Sequence, residues 1–338
     1  MKPIGILYEH PEWFAPLFAE LERRALPYAP ILAHAHRFNP TATSAPYSLV
    51  VNRFSPSAYL RDHTSAMFHA QHYLRHLEAI NVPVVNGSQA YALELSKAQQ
   101  LTLLATLGIP HPRSQVVNHT NQIAAAANEL VFPIIVKPNI GGSGALMRRF
   151  DTGEELRAAV GGGELQGVFG LDHTAVVQEY HPPRGSSIVR VEVLDGRFLY
   201  AIRIHNDPSL GFNLCPADIC QVEEPAATST VPAGADLRFG QVDVPAATVA
   251  KKPLKIEAVD PPSWVVDAVV RIVQAGGLDI GGVEYLESER DDQIYLYDVN
   301  ALSNFVTDAP RLVGFDPFVR FVDYLEQRLG VTAQGLTT

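Results

Sequence analysis

Apolar residues recur along the chain in two rhythms. Ile4 to Tyr8 is a short, nearly unbroken apolar run, the signal of a buried strand, and the stretch from Trp13 to Arg24 then takes helical spacing. Tyr47 to Val51 and Val82 to Val85 repeat the strand signal. Between them Met67, Ala70, Leu74, Leu77 and Ile80 fall on one face of a helix over residues 64–80. Strands alternating with helices predict a parallel layer, so residues 1–90 read as one small α/β domain. A further helix is predicted over 89–107, with Leu93, Leu101, Leu104 and Leu107, stopped by Gly108 and Pro110.

Beyond this point strands come in pairs. Residues 131–150 read as strand, glycine-rich loop, strand, and 174–180 as a strand that stops at Pro182-Pro183. Val189 to Leu194 and Phe198 to Ile204 flank Asp195-Gly196, a strong hairpin signal. Residues 222–262 are rich in Ala, Pro, Thr and Val without a period, and predict a long loop or an inserted flap with short strands. Ser263 is positioned to cap a helix running through Gln274 and closed by Gly276-Gly277. Val283 to Leu286 and Ile294 to Val299 form a second hairpin. Asp316-Pro317 opens a last helix with Phe318, Phe321, Val322, Leu325 and Leu329 on one face, ended by Gly330.

Composition narrows the picture. The chain has 338 residues, 47% apolar and 18% charged, which suits two or three globular domains. The net charge of −10 argues against a nucleic-acid partner, because phosphate backbones need a basic face. A protein of this charge that handled phosphates would have to build a local positive pocket. Two cysteines, Cys215 and Cys220, stand without a second Cys or His pair and predict reduced thiols rather than a zinc site. No apolar run approaches the roughly 20 residues that span a bilayer, and the N-terminus lacks a signal-peptide core, so no membrane partner and a cytoplasmic location are expected.

Four constellations carry chemistry. Lys137 ends an apolar strand, and Gly141, Gly142, Ser143 and Gly144 follow; glycines let backbone N–H groups crowd a phosphate. The plainer alternative is a flexible hairpin tip with a surface lysine. Asp298 and Asn300 are two apart on a strand and share a face, and Glu284 on the preceding strand can meet Asp298 across the ladder, giving oxygen donors for a hard cation. The alternative is a solvated sheet face. Gln178, Glu179, Tyr180 and His181 end a strand at a Pro-Pro step, where free backbone groups suit a nucleobase or simply a hinge. Arg190 and Arg203 alternate with apolar residues on the first hairpin and are both expected on its polar face, for phosphate, carboxylate or salt-bridge contacts.

The order of these pieces resembles the ATP-grasp superfamily, and within it the RimK-type glutamate ligases and the glutathione-synthetase-like branch. The resemblance rests on Ser96-Lys97-Ala-Gln-Gln, then Phe-Pro-Ile-Ile-Val-Lys137-Pro with Gly-Gly-Ser-Gly, then Val-Gln-Glu179-Tyr, Ile-Val-Arg190-Val, Gly-Val-Glu284-Tyr and Tyr-Asp298-Val-Asn300. Val-Val-Asn-Arg53-Phe-Ser-Pro-Ser resembles the domain that precedes ATP-grasp in that branch. It implies an α/β and α+β fold: a parallel α/β domain over 1–90, a small lid subdomain over 91–180, and a C-terminal subdomain over 181–338 with the inserted segment, ATP lying between the subdomains.

The resemblance further implies an ADP-forming ligase that uses ATP and two Mg²⁺ ions, for which Mn²⁺ could substitute, to join a carboxylate to an amine through an acyl phosphate. Amino acids or peptides are the implied substrates, and a homodimer or homotetramer the implied assembly. Lys97 and Lys137 would bind phosphates, Gly141 to Gly144 would close over them, and Gln178, Glu179 and Tyr180 would line the adenine pocket. Glu284, Asp298 and Asn300 would hold Mg²⁺. Arg203 would steady the γ-phosphate, with Arg190 and Asn213 on the substrate side. Three departures stand out. The 222–262 segment follows Asn213, is longer than the resemblance implies, and is expected to shape the acceptor pocket. The acids at Glu284 and Asp298 are exchanged relative to the family, and an acidic ribose contact before Arg190 is missing, with Ser186 and Ser187 as nearby substitutes. The last two departures keep open the reading of a non-catalytic ATP-binding partner protein; a third reading is a small-molecule kinase.

Overall fold

The structure is a computed structural model that describes residues 2–142, 144–205 and 254–335. Ser143, Asn213, Cys215, Cys220 and most of the 222–262 segment lie outside the described residues.

The first layer comprises β1 (Ile4–Tyr8), α1 (Ala15–Arg23), β2 (Tyr28–Leu32), β3 (Leu49–Asn52), α2 (Thr64–Ala79) and β4 (Val84–Val85). Its four strands are parallel, in the order β2-β1-β3-β4. β2 carries Pro30 at the sheet edge and weak apolar contrast, which is why its pattern does not announce a strand.

Two helices follow, α3 (Ser88–Glu94) and α4 (Lys97–Thr106), where the apolar spacing predicted one. The break has a local cause. Ser96 adopts an extended backbone and its side chain accepts the Gln99 N–H at 3.2 Å, an N-cap that restarts the helix. Lys97 is thereby placed at the first position of α4.

An antiparallel sheet comes next, in the order β5-β8-β6-β7, built from β5 (Ser114–Val117), α5 (Thr120–Ala127), β6 (Ile134–Pro138), β7 (Arg148–Phe150), α6 (Gly153–Gly161) and β8 (Ala175–Glu179). Ile123, Ala127, Leu156 and Ala159 from the two helices pack on its Ile134, Val136 and Val177 face.

The last sheet has five antiparallel strands, β11-β10-β9-β12-β13. They are β9 (Ser187–Leu194), β10 (Arg197–His205), β11 (Lys255–Ala258), β12 (Ile280–Glu287) and β13 (Ile294–Asn300). α7 (Ser263–Gly276) precedes β12, and α8 (Ala309–Val313) and α9 (Pro317–Gly335) close the chain. Ser263 is the first residue of α7 and makes no cap bond; Pro262 occupies the cap position, so the helix starts from proline's fixed backbone instead. The sheet's two faces go to different partners. Val189, Val191 and Val193 pack on α7, whereas Ile188, Ile202, Ile204 and Ile280 join Ile4, Ile6 and Val51 of the first layer and Phe321, Val322 and Leu325 of α9. The fold is mixed α/β, a parallel sheet followed by two antiparallel ones. Among the described residues no helix is long and apolar enough to cross a membrane.

Asn86 stitches the first layer to the last sheet. Its amide donates to Ile280 O at 2.7 Å and Ala301 O at 2.6 Å, and its oxygen accepts from Asp279 N at 2.8 Å and Ile280 N at 3.2 Å. It sits at φ 52°, a left-handed backbone that Asn tolerates. Asn86→Ala leaves several buried groups unpaired. It should lower the free energy of unfolding by about 3 kcal/mol or more, read by denaturant titration, with little effect if these bonds contribute nothing.

Candidate active site

One cleft lies between the two antiparallel sheets, and Trp13, Ser55, Pro56 and Ser57 of the first layer also line it. Lys137, Gly141, Gly142 and Gly144, Gln178, Glu179, Tyr180 and His181 form one side; Lys97, Arg190, Glu284, Asp298 and Asn300 form the other. Lys137 and Asp298 thus face a shared space. Lys137 is 4% exposed, which sets aside a surface lysine on a hairpin tip.

The acids depend on strand geometry. Glu284 on β12 stands opposite Asp298 on β13, and the pairing register shifts beside them, leaving Tyr297 as an extra residue. Such a bulge re-aims side chains, and Tyr297 and Asp298 both line the cleft. Tyr297 donates its hydroxyl to Glu284 Oε2 at 3.0 Å, and Arg190 donates to Glu284 Oε1 at 3.1 Å. β13 is an edge strand, and its exposed backbone is satisfied from α4. Gln100 donates to Val299 O at 2.8 Å and accepts Val299 N–H at 3.1 Å. The same helix delivers Lys97, whose ammonium donates to Asp298 Oδ1 at 2.6 Å, while Asn300 donates its amide to Asp298 Oδ2 at 3.1 Å.

These contacts set the charge states. Burial opposes the Asp298 charge, but the Lys97 ammonium, Lys137 and the Asn300 amide hold its carboxyl below the usual range. Burial and the neighbouring Asp298 charge push Glu284 up, with Arg190 opposing. Lys97 is raised, because Asp298 outweighs burial. Burial, and then the nearby Lys97 charge, bring Lys137 down to about 7. Its ammonium donates to Gln178 Oε1 at 2.8 Å. Gln178 in turn donates to Ser114 Oγ at 2.9 Å, and Glu179 accepts Val131 N–H at 2.9 Å. Tyr180 carries the Arg149 guanidinium 4.6 Å from its ring centre. Gly144 takes φ 71°, a conformation that suits glycine in a loop turned into the cleft.

Two predicted residues are elsewhere. Residues directly opposite each other in a ladder share a face; Ile202 stands opposite Arg190, and Arg203 opposite Val189. Arg203 therefore leaves the sheet on the Val189 side, the face packed on α7, and not on the face of Arg190 and Glu284. It donates to Ser187 Oγ at 3.3 Å and lies 3.8 Å from Glu257. Ser187, expected to stand in for a ribose contact, has the same parity, bonds Arg184 O and Arg203, and does not line the cleft. The pattern Ala-Ile-Arg-Ile does not reveal which face is the cleft; only the register with β9 does.

Other residues join the cleft without having been singled out by their motifs. Glu94 ends α3, and its buried carboxylate accepts the backbone N–H groups of Ala301 and Leu302, just past Asn300. Burial raises it to about 7 despite those bonds. An acid between Leu93 and Leu95 was the available signal. Trp13, Ser55 and Ser57 of the first layer and Ser303, Asn304 and Phe305 also line the cleft. Ser55 and Ser57 hydroxyls bond each other at 2.8 Å.

A divalent ion fits this donor set. The cationic groups now on Asp298 and Glu284 are Lys97 and Arg190, so positive charge is already sought at both acids. Asn300 adds a third oxygen. Among the described residues no three His, Cys, Asp or Glu side chains converge on a metal-sized site, so the set is two acids and an amide.

No protein-family model matches the chain. The D-alanine–D-alanine ligase of Pseudomonas entomophila is 38% identical over 84 residues, 25% of this chain and 26% of that protein, so the chain matches about a quarter of that relative's length. Among solved structures, the Bacillus anthracis D-alanine–D-alanine ligase complexed with ATP superposes with a TM-score of 0.65 at 16% identity, covering 99% of this chain and 100% of that one. The ATP-grasp ligase PsnB complexed with a minimal precursor gives 0.64 at 18% identity, covering 97% and 99%. The chain therefore has the fold of these ATP-grasp ligases.

Proposed function

We propose that this cleft binds ATP with Mg²⁺ and joins a carboxylate to an amine, releasing ADP and phosphate. The observation behind it is the convergence of Lys97, Lys137 and Arg190 with Glu284 and Asp298 on one space, in a fold shared with ligases. A carboxylate and a triphosphate repel, and this reaction must bring them together. Lys97 and Lys137 would hold the phosphates under the glycine loop, and Gln178, Glu179 and Tyr180 the adenine end. Glu284, Asp298 and Asn300 would hold Mg²⁺, which when bound neutralises phosphate charge. Arg190 takes the phosphate-steadying role that the family resemblance gave to Arg203, because Arg190 is the one in the cleft.

The substrate carboxylate oxygen attacks the γ-phosphorus and ADP leaves. The amine nitrogen then attacks the acyl carbon, and phosphate leaves with the proton the amine gives up. The part of the cleft around Trp13, Ser55, Ser57 and Phe305 is the proposed seat of the two substrates. Relatives named for D-alanine and for a precursor peptide favour an amino acid or peptide.

The test is Mg²⁺-dependent ADP release on adding amino-acid and peptide pools, with products read by mass spectrometry. Asp298→Asn should cut the rate by about 100-fold or more. AMP and pyrophosphate as products, a stable phosphorylated product without an amine, or ATP binding without turnover in any pool would each sink the ligase reading.

A pH effect follows from Lys137. Below pH 7 its ammonium is already charged in the ATP-free protein; above pH 7 it has to gain a proton when the triphosphate arrives. ATP affinity should therefore fall as pH rises from about 7 to about 9, by at most about tenfold per pH unit. Calorimetry at about pH 8 in buffers of different ionisation enthalpy should read proton uptake, absent in Lys137→Gln. Equal uptake in that variant would refute the assignment.

A further inference from the structure

We infer that Glu192 and Gly282 form a seat that holds the Arg190 guanidinium at the cleft wall, with Glu192 as its positioning residue. The functional weight of this rests on the ligase reading above; the geometry does not.

Glu192 is 1% exposed and lies behind the cleft lining rather than in it. Its Oε1 accepts the Arg190 Nε–H at 2.6 Å. A charge taken this far from water needs a partner, and among the described residues Arg190 is the cation that bonds it. Arg190 is shared with Glu284, through Nη1 at 3.1 Å. The two acids differ in access. Glu284 lines the cleft, where a divalent ion, if bound, would compete with Arg190 for it; Glu192 does not line it and would be shielded from that competition. Glu192 would thus keep the guanidinium in place when Glu284 holds an ion, leaving the other donors of Arg190 for a phosphoryl oxygen.

Gly282 supplies the room. It stands opposite Glu192 on the neighbouring strand, two residues before Glu284. A Cβ at 282 would lie 2.6 Å from Arg190 Nε, 2.7 Å from Nη2 and 2.8 Å from Cζ, and these are its three nearest neighbours. Any side chain there displaces the guanidinium.

A double-mutant cycle tests the seat, with Mg·ATP binding by calorimetry and melting temperature as readouts. Gly282→Ala should weaken Mg·ATP binding about tenfold and lower the melting temperature. In the Arg190→Ala, Glu192→Gln background, where no guanidinium is left to displace and Glu192 is not left as an unpaired charge, the same change should alter affinity by less than about twofold and shift melting by no more than the background itself does. An equal cost in both backgrounds overturns the seat. Should the wild type bind no Mg·ATP, the nucleotide reading falls, and the melting cycle still decides the seat. Independently, the nitrogen-15 resonance of Arg190 Nε–H, assigned with Arg190→Lys, should stay protected from solvent exchange when Mg²⁺ and ATP are added. Its loss on addition overturns the positioning role of Glu192.

Discussion

The ion pair between Lys97 and Asp298 is the constraint around which the rest is arranged. Both groups are largely out of water, where an unpartnered charge is costly, and they come from elements about two hundred positions apart in sequence. Bringing them together requires α4 to lie along the edge of β13. That in turn requires the helix break at Ser96, the Gln100 amide on the Val299 backbone, and the Glu94 carboxylate on Ala301. Each contact is local, and together they fix one helix against one strand so that a single lysine reaches a single acid.

The first layer does more than support this edge. Asn86 satisfies four backbone groups around Ile280 and Ala301, and the buried Arg53 donates to Ser303 O with its guanidinium 5.5 Å from the Phe14 ring centre and 5.6 Å from that of Phe321. Both residues grip the segment that follows Asn300. The strand carrying the acids is therefore held from three directions: the hairpin partner β12, helix α4, and the parallel layer. If the site holds a triphosphate, as proposed, it gains from donors that are already oriented, because no reorganisation is then needed when charge develops.

What the sequence displayed and what it concealed follow from the range of each interaction. Lys137 with its glycine loop, and Asp298 with Asn300, were legible because strand parity and turn chemistry act over a few residues. The strands β1, β6, β8 and β13 and helices α2, α7 and α9 have strong apolar rhythm and read directly. Helix α5 hid because Ala124 to Ala127 give no polar contrast, and α6 because its capping box, Thr152 with Glu155, is followed by only Leu156 and Ala159 as buried residues. Arg203 was misplaced for a deeper reason. Alternation says that Arg190 and Arg203 each leave an apolar strand, but the face depends on pairing register, and register is a property of two strands together. Glu94 and Glu192 were concealed by their surroundings: an acid among leucines or valines reads as an irregularity until its partner is known.

The acids at positions 284 and 298, whose order the resemblance to ATP-grasp proteins marks as exchanged, fit their surroundings in the same terms. The shorter side chain, Asp298, sits beside the bulge at Tyr297, on the strand that α4 presses from outside, and Lys97 comes to it. The longer one, Glu284, stands on an inner strand and spans the distance to two donors, Arg190 and the Tyr297 hydroxyl. Asp at 284 would be one methylene short of both; Glu at 298 would push a longer arm into the space of the Lys97 ammonium. The bulge, Tyr297, Arg190 and the glycine at 282 thus form one co-adapted set with the exchanged acids. Swapping the two acids alone would break contacts on both strands, so they have to be read together with the residues that hold them.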